Sequence, residues 1–291
     1  MKKRVLIIKP GYSETLDPDE SGIVSLGDIL RSTVILHQFP PEEFEVTWVV
    51  DQKGVPLLQN NPYIARLLSI NVFTPQLLLS ETFDILLNLE KDLGICAMCE
   101  NIRAWERYGF RFHQSELRSD KHSEEALKFT QDEEAKRSKD KSWSQVLYEM
   151  LGKQYNGEQY ILSHKDVEEK YNVGLNHLIG KKFPSKAWTR YNWEGLELKL
   201  AVNGYKSCWQ QGESDLESYI NWIASCKTIV TCDSLGLHIG LALGKNVVAL
   251  FGPTLASEVH DCKNLTKIIS ETGKVADITV EEVMKVVERF E

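Results

Sequence analysis

The order of apolar and polar positions predicts strands that alternate with helices in the first half of the chain. Continuous apolar runs indicate buried strands at 3–9, 44–51, 64–71 and 83–90. Between the first two, apolar residues at helical spacing predict a helix over 26–39. Strands separated by helices are typical of βαβ units, so we expect a parallel sheet.

The second half repeats this alternation. Its pattern predicts strands at 170–179, 227–233 and 246–252 and helices at 192–204, 215–226, 234–244 and 278–290. Asp215 is a candidate N-cap, Gly204 a candidate helix end, and Thr279 with Glu282 a capping box. The two α/β halves meet around 163–170. Because open parallel sheets bind ligands beyond the carboxyl ends of their strands, we expect a site in the cleft between the halves.

A charged segment interrupts the first half. Residues 116–141 contain 15 charged side chains and few apolar ones, which predicts a solvated helix followed by a loop. The alternative is a mobile lid near the entrance of a site. The roles of this segment and of the long polar loop 10–27 stay open.

Composition narrows the class of protein. The 291 residues suit one large domain or two of roughly 150 residues each. A net charge of −8 argues against nucleic-acid binding through bulk electrostatics. The apolar run Val5–Ile8 near the N-terminus is too short for a signal peptide, and we expect a cytoplasmic protein with peripheral contact to the inner membrane as an option.

Six cysteines are expected to be free thiols. Cys96 and Cys99 form a C-x-x-C pattern, which is found in redox motifs and in half of some zinc sites. No second pair with metal-binding spacing follows, and helical spacing places both thiols on one apolar face. The pattern therefore favours core packing.

Three polar stretches at predicted strand ends are candidates for chemistry. After the first strand, which ends at Lys9, Gly27 and Asp28 open a helix. Asp28 either complements the helix dipole or takes a proton from an acceptor hydroxyl. In "FPSKAWTRYNW", Lys186 is either a surface lysine or, with the following helix N-terminus, a ligand for a diphosphate.

The third stretch is "TCDSLGLHIGLALGKNVVALFGPT" (231–254). Asp233 and Ser234 end one strand, and Phe251-Gly252-Pro253-Thr254 end the next. Gly236 permits close backbone approach, and His238 lies one turn into the helix between the strands. The stretch is either a well-packed core unit with a hydrogen-bonded histidine or a ligand site built from two neighbouring turns.

These stretches resemble the motifs of glycosyltransferase family 9, the ADP-heptose heptosyltransferases. "CDSLGLHIGLALGKNVVALFGPT" is similar to the family signature, "SLGDILRST" to its N-terminal motif and "VGLN…FPSKAW" to its central lysine-containing turn. The resemblance implies a GT-B fold, in which two Rossmann-like domains face each other across a central cleft. The implied divisions are an acceptor domain (1–167), a donor domain (168–277) and a C-terminal helix (278–291) that packs back on the first domain.

The resemblance also implies an inverting transfer without a metal, and no cofactor apart from the nucleotide diphosphate sugar. Asp28 is then the general base, with Lys9 and Gly27 on the acceptor side. The implied donor-binding residues are Lys186, Asp233, Ser234, Leu235, Gly236, His238, Phe251, Gly252, Pro253 and Thr254. The donor of the family is ADP-heptose, and the acceptor is a glycan or lipid-linked glycan of the lipopolysaccharide-core type.

Two other classes of protein fit the same pattern. One is a GT-B module that binds sugar nucleotides or a partner without catalysis. The other is a Rossmann-type NAD-dependent enzyme, in which Asp51 at the end of the second strand would bind a ribose. Against the second class, no G-x-G-x-x-G follows the first strand.

Overall fold

A computed structural model describes residues 1–12, 23–131, 141–180, 184–212 and 215–290. The chain divides into two compact units, Met1–Ser163 and His164–Glu291. The domain roles expected from the sequence for 1–167, 168–277 and 278–291 stay predictions. Predictions for residues 13–22 of the long loop and 132–140 of the charged segment lie outside the described residues.

The first unit is built from a sheet and short helices. Its strands are β1 Lys3–Ile8, β2 Phe44–Val50, β3 Ile64–Ser69, β4 Thr82–Asn88, β5 Arg103–His113 and β6 Glu116–Ser119. Its α-helices are α1 Leu26–Ser32, α2 Val55–Leu58, α3 Thr74–Leu79, α4 Leu93–Asn101, α5 Glu124–Gln131 and α6 Trp143–Met150. The helix predicted over 26–39 is α-helical only to Ser32 and continues as a 3₁₀ helix over Thr33–Gln38.

The strand order is β3-β2-β1-β4-β5-β6, and all neighbours are parallel except β5 and β6. The apolar run of β1 is buried because the strand lies between β2 and β4, where Ile8 is opposite Val49 and Asn88. This register brings the carboxyl ends of three strands to one edge of the sheet. Residues that follow β1 and β4 are therefore neighbours.

The second unit has the same kind of architecture. Its strands are β7 Tyr171–Asn176, β8 Ser207–Trp209, β9 Cys226–Cys232, β10 Asn246–Phe251 and β11 Leu265–Ile269. Its α-helices are α7 Arg190–Val202, α8 Leu216–Ala224, α9 Leu235–Ala242 and α10 Val280–Phe290. The sheet order is β11-β10-β9-β7-β8, and every pair is parallel. The prediction of two α/β halves with parallel sheets is confirmed.

The last helix, α10, belongs to the second unit. Its apolar face, formed by Val283, Met284, Val286 and Val287, lies in one buried cluster with residues of β7, β9, β10 and α7. The expected packing of this helix against the first half of the chain stays a prediction. The face is buried in its own unit because α7 and the sheet offer it an apolar surface.

Several local predictions are confirmed. Asp215 caps α8 by accepting a hydrogen bond from the Ser218 N–H. Gly204 follows α7 with a φ of +78°, which favours glycine. Thr279 and Glu282 form the reciprocal bonds of a capping box before α10. Within the described residues, no helix is long and apolar enough to cross a membrane.

Candidate functional site

A buried cluster of charges occupies the carboxyl edge of the first sheet. Lys9 directly follows β1, Glu90 comes two residues after β4, and Asp28 lies in the first turn of α1. The Lys9 ammonium forms an ion pair with the Asp28 carboxylate and lies 3.9 Å from a Glu90 oxygen. All three side chains are almost fully buried. The structure therefore brings Lys9 and Asp28, two residues singled out in the sequence, into direct contact.

Both oxygens of Asp28 are engaged. The second oxygen accepts a hydrogen bond from Arg31 Nε at 2.9 Å, and the Arg31 guanidinium in turn lies over the Trp143 ring at 5.0 Å. Burial alone would raise the pKa of the Asp28 carboxyl, but the charges of Lys9 and Arg31 hold it well below its ordinary value. Asp28 is therefore a carboxylate at any physiological pH.

The pKa of Lys9 is raised, because the Asp28 and Glu90 carboxylates outweigh the opposite effect of burial. Glu90 also fixes the chain that leaves β1. One of its oxygens accepts hydrogen bonds from the backbone N–H groups of Gly11 and Tyr12, at 2.8 and 3.0 Å. Burial, together with the charge of Lys9, lowers the pKa of neighbouring Lys91 to about 8.

The helix turn that carries Asp28 starts without a side-chain cap. Ser25 is the N-cap residue of α1, and Gly27 is the residue before Asp28. A carboxylate in the first helical turn is favourable next to the helix dipole. Asp28 therefore fits the capping interpretation electrostatically, and its ion pairs hold it at the strand edge where a proton acceptor is also expected.

The second unit places Lys186 against Asp233. Lys186 ends a 3₁₀ helix, Pro184–Lys186, and Asp233 is the first residue after β9. The Lys186 ammonium lies 2.7 Å from an Asp233 oxygen, with 14% and 19% of the two side chains exposed. Although burial opposes it, the Lys186 charge lowers the pKa of Asp233, aided by His238 and the Thr254 hydroxyl. Lys186 and Asp233, predicted from two separate stretches, thus form an ion pair.

The turn after Asp233 leads directly into α9. Ser234 is the N-cap residue of α9, yet its hydroxyl makes no cap hydrogen bond. The hydroxyl instead lies 3.1 Å from Thr231 Oγ1 and accepts a hydrogen bond from Asn176 Nδ2 at 3.2 Å. A serine cap typically contributes about 1 kcal/mol to a helix, so this serine is used differently. Leu235 is the first residue of α9.

The two ends of the predicted stretch 231–254 lie on adjacent strands. Asp233 follows β9, and Phe251 is the last, buried residue of β10. After Phe251, the chain passes close to the backbone at Val275, and a Cβ on Gly252 would lie 2.6 Å from the Val275 nitrogen. Pro253, which follows, is exposed. His238 is 6% exposed and lies inside α9. This position fits a histidine of the core and also a histidine next to a ligand at the start of the helix.

Sequence reasoning missed several members of both clusters. In the first unit these are Arg31, Glu90 and Lys91, and in the second they are Asn176, Thr231 and Tyr219. Asn176 ends an apolar strand, and Glu90 follows one. A polar residue at the carboxyl end of a buried parallel strand indicates a site residue, and this pattern could have identified Asn176 and Glu90.

The cysteine prediction is confirmed. Cys96 and Cys99 lie buried on one face of α4, and the Cys96 thiol donates to the Glu90 carbonyl. Burial raises the pKa of Cys96 to about 12, which disfavours a reactive thiolate.

Among the described residues, no three histidine, cysteine, aspartate or glutamate side chains gather as a metal site. Asp51 caps the following 3₁₀ turn and accepts a hydrogen bond from Tyr12 at 2.8 Å.

Comparison with known proteins gives matches of sequence and of fold. The model of glycosyltransferase family 9 (heptosyltransferase) matches residues 210–287, which include Asp233 and Thr254. Lipopolysaccharide heptosyltransferase 2 of Salmonella typhimurium is 41% identical over 63 residues, which are 21% of this chain and 18% of that protein. The protein of the same name from Escherichia coli is 29% identical over 140 residues, 38% of each chain. The matches thus span well under half of these curated relatives.

The fold is similar over a greater length. The structure of ADP-heptose LPS heptosyltransferase II from E. coli aligns with a TM-score of 0.71 at 16% identity, covering 100% of this chain and 98% of that one. At this identity the likeness shows the fold, and the predicted GT-B fold class is confirmed. The resemblance to family 9 found in the motifs is confirmed by the family match.

Proposed function

We propose that this relative of the family 9 heptosyltransferases is an inverting glycosyltransferase that moves a sugar from a nucleotide diphosphate donor to an acceptor hydroxyl. The observation that carries the proposal is the ion pair of Lys186 with Asp233, which lies at the end of β9 next to the start of α9. Asp233 lies inside the segment that matches the family model.

The second unit is proposed to bind the donor. A departing nucleoside diphosphate carries negative charge, which must be stabilised as the sugar leaves. The Lys186 ammonium and the first backbone amides of α9 supply that stabilisation, because a lysine and a helix N-terminus both attract phosphate. The partial exposure of the Lys186–Asp233 pair supports this role, because a phosphate can reach the ammonium from solvent.

The first unit is proposed to activate the acceptor. Inverting transfer needs a base that takes the proton of the attacking hydroxyl. Asp28 is ionised, and its pairing with Lys9 and Arg31 holds the carboxylate in a fixed direction. In this assignment Lys9 orients the base, and Gly27 leaves the start of α1 without a side chain beside it. The transfer is proposed to proceed without a metal or a further cofactor.

The names of the similar proteins guide the choice of substrates. The solved E. coli structure is of an ADP-heptose lipopolysaccharide heptosyltransferase. We therefore propose ADP-heptose as the donor and a lipid-linked glycan of the lipopolysaccharide-core type as the acceptor. An acceptor of this kind places the enzyme in the cytoplasm with peripheral contact to the inner membrane.

A thermal-shift screen across ADP-, UDP-, GDP- and CDP-linked sugars tests the donor assignment. A ligand that binds only the folded protein stabilises it in proportion to the logarithm of its concentration over Kd. We expect the ADP-linked sugars to give the largest rise in Tm. A rise with NAD and with none of the nucleotide sugars would contradict the proposal and favour a Rossmann-type dehydrogenase.

Release of ADP from ADP-heptose in the presence of a lipopolysaccharide-core acceptor tests catalysis. We expect ADP release to depend on the acceptor. Donor binding without any transfer to a range of core acceptors would instead identify the chain as a non-catalytic sugar-nucleotide-binding module.

A further inference from the structure

Behind the proposed donor turn lies a polar network in which Asn176 and Thr231 are fully buried and Ser234 is half-buried. Asn176, the last residue of β7, donates from Nδ2 to Thr231 Oγ1 at 2.7 Å and to Ser234 Oγ at 3.2 Å. Its Oδ1 accepts a hydrogen bond from the Tyr219 hydroxyl of α8 at 2.9 Å. One amide group therefore ties three elements, β7, β9 and α8, to the residue that opens α9.

Gly236 gives this network its space. A Cβ at position 236 would lie 2.2 Å from Asn176 Nδ2 and 2.5 Å from the Tyr219 hydroxyl. Any side chain at this position would displace both groups. The first turn of α9 therefore approaches the amide of Asn176 as closely as a helix backbone can.

The network also determines what Ser234 does. Its hydroxyl is directed to Asn176 and Thr231, and it does not cap the helix that Ser234 begins. Burying an amide and two hydroxyls has a desolvation cost that apolar side chains would avoid. A fixed direction for the Asp233–Gly236 turn is what this arrangement achieves.

We infer that Asn176 and Tyr219 are positioning residues for the nucleotide diphosphate: they orient the Asp233–Gly236 turn and the start of α9 without touching the ligand. The inference rests on the proposed function, and it adds two residues that the sequence analysis did not name as site residues. Loss of the Tyr219 hydroxyl leaves Asn176 Oδ1 without its donor, so the turn gains freedom and the phosphate loses a fixed binding geometry.

The test compares Tyr219→Phe with Tyr205→Phe, a tyrosine of the same unit that packs against its core. Calorimetry with ADP is run well below the Tm of every variant, so that all are folded. Loss of one buried hydrogen bond typically corresponds to about a five-fold change in an equilibrium constant. We expect the Kd of ADP to rise about five-fold in Tyr219→Phe and to stay unchanged in Tyr205→Phe.

Asn176→Ala and the double variant complete a thermodynamic cycle. We expect the two single effects on ADP affinity to be non-additive, because both substitutions break the same network. In transfer assays, KM for the donor should rise while KM for the acceptor stays constant. Lower Tm with unchanged ADP affinity in both single variants would overturn the inference and leave a purely structural network. Absence of ADP binding by the wild type would instead overturn the proposed function.

Discussion

Each unit places a lysine against an aspartate at the carboxyl edge of its parallel sheet, but the two pairs differ in exposure. The Lys9 and Asp28 side chains are 2% and 3% exposed, and Arg31 and Glu90 complete their surroundings. The Lys186 and Asp233 side chains are 14% and 19% exposed. A similar ion pair is therefore almost fully buried in the first unit and partly exposed in the second.

This difference separates two uses of the same residue types. A buried pair is costly to break, because removal of one partner leaves a charge without compensation in a medium of low polarity. A partly exposed pair is weaker, because water screens it. We therefore interpret Lys9 as a group that orients Asp28, and Lys186 as a group that can exchange its carboxylate for a phosphate.

The largest expected effect follows from Asp28→Asn. The substitution keeps the shape of the side chain but removes the proposed base, and loss of a general base typically lowers a rate by about 10²- to 10⁴-fold. We expect such a loss of transfer, measured as ADP release from ADP-heptose with acceptor present, while ADP affinity stays close to that of the wild type. Transfer at the wild-type rate would refute the role of Asp28.

Lys9→Met tests whether the first pair supports the fold. We expect the free energy of unfolding to fall by about 3–5 kcal/mol, because the buried Asp28 and Glu90 carboxylates lose their shared cation. The measurement is urea denaturation. The matched control is Lys199→Met, which removes an exposed pair with Glu281 and should leave the free energy of unfolding almost unchanged, because water screens the pair. Equal losses in the two variants would mean that the buried Lys9–Asp28 pair contributes no more to stability than an exposed pair.

Gly252→Ala tests whether close backbone packing holds the donor region. A Cβ at this position would meet the Val275 nitrogen at 2.6 Å, whereas one at Gly180 would meet nothing within 4 Å. Overpacking of this kind typically costs about 1–3 kcal/mol. We expect a corresponding loss in thermal denaturation for Gly252→Ala and almost none for Gly180→Ala. A Tm for Gly252→Ala equal to that of Gly180→Ala would show that the region yields easily.

Unfolding at acid pH is a second test of the buried Lys9–Asp28 pair. The pKa of Asp28 is lower in the folded protein than its ordinary value of 3.8, so the unfolded chain binds the proton more readily. The stability from Asp28 is therefore fully present above pH 3.8 and is lost as the pH falls below it. One such group changes stability by at most about 1.4 kcal/mol per pH unit.

Asp28→Asn should accordingly flatten the decline in unfolding free energy below pH 4. Urea denaturation of both proteins between pH 2.5 and 5, a range set about the ordinary aspartate pKa, measures the two slopes. Parallel slopes would mean that Asp28 has the same pKa in the folded and unfolded chains.

The sequence predicted the parts of the fold whose patterns are strong. Strands β1, β4 and β10 have continuous apolar runs because both faces of a parallel sheet are covered. Strands β5, β6, β8 and β11 were missed. Their residues are largely half-buried or exposed, as in Glu116–Ser119, so no apolar run marks them.

The sequence predicted those candidate site residues that lie within its motifs. Asp28, Lys186 and Asp233 were found because each follows a recognisable strand. The partnership of Lys186 with Asp233 joins residues 47 positions apart, and that of Tyr219 with Asn176 depends on how α8 packs. Such partners are set by tertiary packing, which one sequence does not reveal.

Calorimetric titration of ADP into the wild type, Lys186→Ala and Asp28→Asn tests whether Lys186 binds the diphosphate while Asp28 does not. A hydrogen bond to a charged group typically contributes about 1.5–3 kcal/mol, so removal of Lys186 should weaken ADP binding by roughly ten- to a hundred-fold. We expect that weakening in Lys186→Ala and an affinity close to wild type in Asp28→Asn. Equal affinities of wild type and Lys186→Ala, or a loss confined to Asp28→Asn, would contradict this expectation.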